Sequence, residues 1–457
     1  MELYKLFINK IVTLVLFCAN VISMYAYCGS FSIEAITTKE LNLRSSYVET
    51  IDKHKLVKDF VRDYNARPNS SSDQSEILQN AINEISNNGG GKLIIPKGVY
   101  NIANIYMKSN VHILVHNEAV LRLINSGKKT SVCMFIFYTE EEKGTYIENC
   151  YIRGLNGSYI VDYSFMQPGK NAGARFIISR LVKNFLIADA VIKDNYTKFC
   201  GIIFVPAGKT GADKLDVSRP VNGEIRNCKI FNADSGYGLC QLHGAQSLYF
   251  RNLYAKGGVT LRLESGAGGR YAGVFDIQAK NIKNENGRAA VMMNPHTTHN
   301  GTVKIDSVWS KSSSACLLLH RGFIDRKHKD DPNATIGSYA SDSEINNVHA
   351  IFGTDAQVDN KEVYVLEPDP EMYKLYRNNN HGNRVSFDGP SIAAAFSTLG
   401  DDWSVKITNL TSEGFKGAAA GIVYLKDIKE REKKKWQIVN QLPNVKHQPD
   451  KNKVKKK

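Results

Sequence analysis

The stretch that decides the fold is residues 225–322, where one short pattern returns four times: Ile225-Arg226-Asn227-Cys228-Lys229-Ile230, Phe250-Arg251-Asn252-Leu253-Tyr254-Ala255, Ala279-Lys280-Asn281-Ile282-Lys283-Asn284 and Ile305-Asp306-Ser307-Val308-Trp309-Ser310. The third positions are 25, 29 and 26 residues apart. An apolar residue, a variable one, Asn or a small stand-in, then apolar again describes a strand, a corner and a second strand. A period of this length built from short strands, with no helical pattern between them, means stacked rungs; the prediction is a parallel β-helix. Asn suits the corner because a side-chain amide, stacked on its copies above and below, satisfies turn groups that a strand cannot.

The signature extends upstream to Ile147-Glu148-Asn149-Cys150-Tyr151-Ile152 and Ile187-Ala188-Asp189-Ala190-Val191-Ile192. Downstream it reads Ile345-Asn346-Asn347-Val348-His349-Ala350 and Ile407-Thr408-Asn409-Leu410-Thr411-Ser412. The longer intervals there imply loops inserted between rungs. After each central corner a further strand ends on polar residues: Gln241-Leu242-His243, Arg262-Leu263-Glu264, Met293-Asn294 and Leu319-His320-Arg321. With Leu242, Leu263, Met293 and Leu319 inward, alternation sends Gln241, His243, Arg262, Glu264, Asn294 and His320 outward on one sheet. Rungs lie about 4.8 Å apart, so these side chains form one polar groove floor.

At 42% hydrophobic and 23% charged, the 457 residues have an ordinary globular composition and ample length for a large core. Lys5 and Lys10, an apolar run over 11–22 and small residues near Ser23 have the layout of a signal peptide, so residues 1–28 are read as an export signal with no membrane span. Cys28 is a lipid-anchor candidate that the preceding Tyr25-Ala26-Tyr27 argues against. Of the net charge of +14, much sits after residue 425, where 12 Lys or Arg face 4 Asp or Glu. A basic exported protein meets anionic polymers. The cysteines beyond residue 28 (Cys133, Cys150, Cys200, Cys228, Cys240 and Cys316) lack metal-ligand spacing and read as core fillers rather than disulfides.

The predicted layout is all-β: a signal over 1–28, an undefined segment 29–64, a β-helix over 65–425 interrupted by an insertion at 353–400, and a basic tail 426–457. Ser72 or Asp73 begins an amphipathic helix carrying Ile77, Leu78, Ala81, Ile82 and Ile85 on one face. That helix, the glycines 89–91 and Pro96-Lys97-Gly98-Val99-Tyr100 resemble the opening of pectin-lyase-like right-handed β-helices, where a helix covers the open first rung. Gln241 and Glu264 on successive rungs, the strand Leu261-Arg262-Leu263-Glu264 and the loop Asn294-Pro295-His296-Thr297-Thr298-His299-Asn300 together resemble the iota-carrageenases, glycoside hydrolase family 82.

The resemblance implies an exported endo-acting hydrolase that cleaves β-1,4 linkages of a sulfated galactan with inversion. It also implies no required cofactor, with a structural calcium ion compatible and no metal ligands identified. The expected partner is a sulfated anionic polysaccharide, with no nucleic acid and no membrane span, bound by a monomer. In that family pattern Glu264 is the general acid, Gln241 holds a water or a substrate hydroxyl, and either His296 or His299 is the groove histidine. The same resemblance implies an acidic base two residues beyond the acid; this agrees with i and i+2 on a strand pointing the same way about 6.7 Å apart, and with inverting glycosidases separating their carboxyls by about 6.5 to 9.5 Å to admit water. Here that position is Gly266. His243, Arg262, Arg270, Asn294, His320 and Arg321 are the expected substrate contacts, the arginines as bidentate sulfate donors. Two rivals share the fold: a lyase, which needs an acidic calcium cluster, and a glycan-binding β-helix without activity, which Gly266 favours.

Overall fold

The computed structural model describes residues 40–457 except 125–130, 139–144, 167–172, 208–218, 266–271, 325, 327, 367–369, 379–385, 402, 436, 439–441 and 443–457. The signal segment with Cys28, both Gly266 and Arg270, and the end of the basic tail therefore lie outside the described residues. Within the rest, the chain winds as a right-handed parallel β-helix whose strands stack in three columns. One strand, Ala245–Glu264, bends through all three columns. Its residues 245–251 pair in parallel with 274–280, residues 253–256 with 282–285, and residues 259–264 with 289–294.

The corners are built as the Asn signature requires. Asn227, Asn252, Asn281, Ser307, Asn347 and Asn409 all take a left-handed φ of 52–62°, a conformation Asn tolerates because its short amide bonds locally. Their amides form a ladder: Asn252 Nδ2 donates to Asn227 Oδ1 at 3.0 Å, Asn281 to Asn252 at 2.9 Å and Asn409 to Asn347 at 2.8 Å. Asp189 caps this ladder, accepting from Asn227 at 2.8 Å. Asn149 belongs elsewhere. It donates to Asn110 at 2.8 Å and accepts from Asn184 at 2.7 Å, forming a second ladder at the corner before the first column. The upstream signature around Asn149 is thus displaced by one corner, and Cys150 aligns with Phe185 rather than with Cys228. Both corners need the same left-handed residue, so the motif alone does not tell them apart. All six described cysteines are free.

Helix Ser75–Asn87 buries Leu78, Ala81, Ile82 and Ile85 against the first rungs, with Asp73 Oδ1 accepting the Ser75 amide at 2.9 Å. Its Gln79 both donates to Tyr106 O (3.0 Å) and accepts from Tyr106 N (2.7 Å), satisfying an edge strand that has no neighbour on that side. Of the segment 29–64 left undefined by the sequence, residues 40–50 form a strap along the outside of the first column, and Val57–Asp59 is a strand paired with residues 92–94. Leu41 N donates to Asp306 Oδ2, Arg44 N to Gln278 Oε1 and Val48 N to Asn184 Oδ1, each at 2.8 Å, and Thr50 N reaches Tyr151 OH at 3.0 Å.

The insertion is shorter than predicted. Residues 356–359, 377–378 and 386–389 form a small antiparallel sheet, but Ala395–Ser397 is already a rung, paired with Leu317–Leu319 and Ile422–Tyr424. Three residues, Ala-Phe-Ser, are too few to register as a repeat. Insertion residues Val358, Val363, Tyr364 and Phe387 pack on the outward Val259, Met292, Leu318 and Phe396 of the third column. Part of the tail packs here as well: Ile428, Ile438 and Leu442 join this cluster, and Arg431 donates to Leu366 O at 2.7 Å. Arg288 fastens the insertion from below, bonded to Glu362 and 3.7 Å from Asp359 Oδ2, all three buried.

Candidate active site

The third column carries the site. Gln241, Arg262, Met292 and Leu318 are in register, as are the inward Leu242, Leu263, Met293 and Leu319 beside them. The next outward row is His243, Glu264, Asn294 and His320, with Glu264 paired directly to Asn294. Only part of this forms an open floor, because the insertion roofs Met292 and Leu318. What it leaves uncovered is the row around Glu264.

The Glu264 carboxylate, 13% exposed, is the hub. Oε2 accepts from Gln241 Nε2 at 2.7 Å, and Arg262 Nε stands 2.7 Å from the same oxygen but off the hydrogen-bond axis. Oε1 accepts from Arg262 Nη2 at 3.0 Å and lies 3.4 Å from His296 Nε2. Arg262 Nη1 donates to Gly236 O, which locks the guanidinium in the wall. Burial alone would raise the Glu264 pKa, yet Arg262, with His296 and His243, overcomes it and holds the carboxyl well below the usual range.

His243 Nδ1 lies 2.7 Å from the Glu264 carbonyl oxygen. A carbonyl only accepts, so Nδ1 carries the hydrogen. Burial lowers the pKa of His243 more than Glu264 raises it, so the ring is neutral and its Nε2 presents a lone pair. Burial beside Arg288 similarly pushes His320 down to about 3, leaving it uncharged.

The histidine loop resolves an alternative that spacing left open. His296 faces Glu264, while His299 is turned away, with its two ring nitrogens 2.8 Å from Ser338 Oγ and 2.8 Å from Thr335 Oγ1. His296 has a left-handed φ of 50°, and its carbonyl accepts from Phe323 N and Gly337 N at 2.8 Å each. Its ring lies 4.6 Å from that of Phe323. Asn294 sits beside Glu264 with a buried Oδ1 that has no hydrogen-bond partner among the described residues. Arg321 is exposed at the end of its strand, its amide bonded to Thr398 Oγ1 at 2.9 Å. Among the described residues, no group of three or more His, Cys, Asp or Glu is placed to hold a metal ion.

Two participants carried no sequence signal. Tyr339, from the far side of a charged loop, donates to Leu263 O at 2.9 Å and braces the Glu264 strand from beneath. Phe323 is 42% exposed and supports His296. Neither falls on the repeat, so neither was legible from its period.

Fold and site together define a right-handed parallel β-helix with a groove centred on one carboxylate. The comparisons narrow this: the chain is homologous to the iota-carrageenases. The iota-carrageenase of Alteromonas macleodii is 34% identical over 305 residues, 66% of this chain and 60% of that protein. That of Zobellia galactanivorans is 36% identical over 277 residues, 59% of this chain and 53% of that protein. The chain thus spans between about half and three-fifths of the curated relatives it matches. A solved iota-carrageenase complexed to iota-carrageenan fragments superposes with a TM-score of 0.75 at 25% identity, over 84% of this chain and 94% of that one. No family model matches the chain.

Proposed function

We propose that this protein is a secreted, endo-acting glycoside hydrolase that cleaves the β-1,4 linkages of iota-carrageenan with inversion. The observation that carries the reading is Glu264 gripped by Gln241, Arg262 and His296 on the open row of the third column, in a chain homologous to iota-carrageenases over most of its described length. An export signal at residues 1–28 and an anionic polymer as substrate fit the same picture.

Glu264 acts as the general acid. Without substrate Arg262 keeps it ionised, which is the wrong state for donation. A sulfate ester laid beside it supplies a like charge, raises its pKa and lets it take up the proton that the leaving oxygen requires. The attacking water needs a base, and Gly266 has no carboxylate. His243 is the group suited to the role: it stands on the adjacent rung, burial keeps it neutral, and the hydrogen on Nδ1 leaves its lone pair on Nε2. As water attacks the anomeric carbon, Nε2 takes its proton while Glu264 protonates the departing oxygen, so the glycosidic bond is exchanged for a C–O bond to water.

The test is incubation with iota-, kappa- and lambda-carrageenan, agarose and pectate. New reducing ends from iota-carrageenan without double-bond absorbance are expected. No cleavage of any polymer, with retention on iota-carrageenan, would replace this reading with that of a glycan-binding β-helix, which Gly266 and the Arg262 lock specifically favour.

A further inference from the structure

The three outer faces of the β-helix are not treated alike. The first column is strapped by residues 40–50 and buries Leu114, Tyr151 and Leu186 beneath Ile51. The third is roofed by the insertion. The second column has no cover among the described residues, yet it points rings at solvent. Its outward row runs Lys229, Tyr254, Lys283, Trp309 and His349 on successive rungs, in register. Beside it runs Lys193, Phe231, Lys256, Glu285 and Lys311.

Tyr254, Phe231 and Trp309 are half-buried, and all five lysines are exposed. None of these lysines pairs with a carboxylate among the described residues, whereas lysines on other faces do, such as Lys58 with Glu84 and Lys280 with Glu40. Tyr254 is fixed by its hydroxyl on Glu285 Oε2 at 3.1 Å and by the Phe231 ring at 5.7 Å. Lys229, Phe231, Tyr254, Lys283 and Trp309, together with the Glu285 carboxylate that holds Tyr254, line an open trough of about 480 Å³.

We infer that this trough is a second binding site for the sulfated polysaccharide chain, on a different face from Glu264. The row runs along the helix axis, so a linear polymer follows it. The Tyr254 and Phe231 rings, tilted 50° to one another, and the Trp309 ring offer apolar surface to pyranose rings, and lysines alternating with them at about two-rung intervals, roughly 10 Å, meet sulfates on alternate sugars. Like charges stacked this closely repel one another; a bound polyanion turns that repulsion into attraction. A glycan fits this row better than a folded protein, which would need a broader apolar patch. The inference shares with the proposed function the class of ligand, but it does not depend on hydrolysis.

The experiment is native electrophoresis through gels with and without iota-carrageenan. It compares the parent, Glu264→Gln, and a Lys229→Ala/Lys283→Ala/Trp309→Ala triple variant in both backgrounds, with circular dichroism to check folding. Lys283→Glu serves as a single control at an exposed side chain outside the core. The triple change should weaken retardation by about tenfold, the sum of two exposed charge contacts and one aromatic contact, and Lys283→Glu should weaken it in the same direction. In the parent background kcat on short oligosaccharides should be unchanged. Undiminished retardation of both the triple variant and Lys283→Glu would overturn the inference while leaving the proposed substrate intact. A parent not retarded at all would overturn both, and equal retardation by single-stranded DNA would overturn the assignment to a sulfated glycan.

Discussion

The face around Glu264 and the face of the second column are built from the same repeat, yet they satisfy their charges in opposite ways. On the third column Arg262, at 5% exposure, is consumed by Glu264 and Gly236, and the insertion seals the neighbouring rungs. On the second column the lysines stay in solvent, with no carboxylate partner among the described residues. A buried cation with its partner inside the protein tunes the protonation of that partner. An exposed, unpaired row attracts a polyanion and is screened by salt within about 8 to 10 Å. The first arrangement is suited to chemistry, the second to retention, and the repeat places both on one ligand-sized axis.

The comparison can be broken most severely at Arg288. Replacing it with Met leaves Glu362 and Asp359 buried without their cation, at a cost of about 3–5 kcal/mol. Chemical denaturation should report that loss, together with detachment of the insertion. A loss below about 1 kcal/mol would mean that the trio does not anchor the roof of the active face.

Next comes the pair His243 and His299. His243→Gln keeps a donor toward the Glu264 carbonyl but removes the titrating nitrogen, and should lower kcat by about 100-fold, the lower end for loss of a general base. The pH profile gives the sign. A base works only when deprotonated, and because burial lowers the His243 pKa, the acidic limb of kcat/KM should lie below the ordinary histidine pKa of about 6.5. His299→Ala, by contrast, should leave kcat within about twofold, since loss of a partly exposed hydrogen bond outside the site costs stability of about 1 kcal/mol and no chemistry. Equal losses in the two variants would erase the distinction between His243 in the groove and His299 turned away from it.

Much of this was legible in the sequence because the β-helix converts sequence period directly into spatial rows. The inward Leu242, Leu263, Met293 and Leu319 and the outward Gln241, Glu264 and Asn294 follow from alternation alone. The period failed where two corners used the same chemistry, as at Asn149, and where a rung shrank to Ala395–Ser397. It was silent on what covers a face. Arg262 was read as a groove sulfate ligand, but it is buried, with its guanidinium bonded to Gly236 O and Glu264, so its charge goes to Glu264. His296 and His299 were indistinguishable by spacing because their loop is set by long-range bonds to 323, 335, 337 and 338, which no local pattern encodes.

The central claim is that Glu264 donates the proton in hydrolysis, and the direct measurement is the kinetics of Glu264→Gln alongside its affinity for the polymer. The amide still accepts from Arg262, so the fold should persist. At neutral pH it should be less stable than the parent, by a margin that shrinks as the pH falls through the depressed Glu264 pKa, where the parent also loses its charge. The account predicts that release of reducing ends from iota-carrageenan falls by about 10²- to 10⁴-fold while retardation in the carrageenan gel is retained. Cleavage at the parent's rate by Glu264→Gln would contradict it.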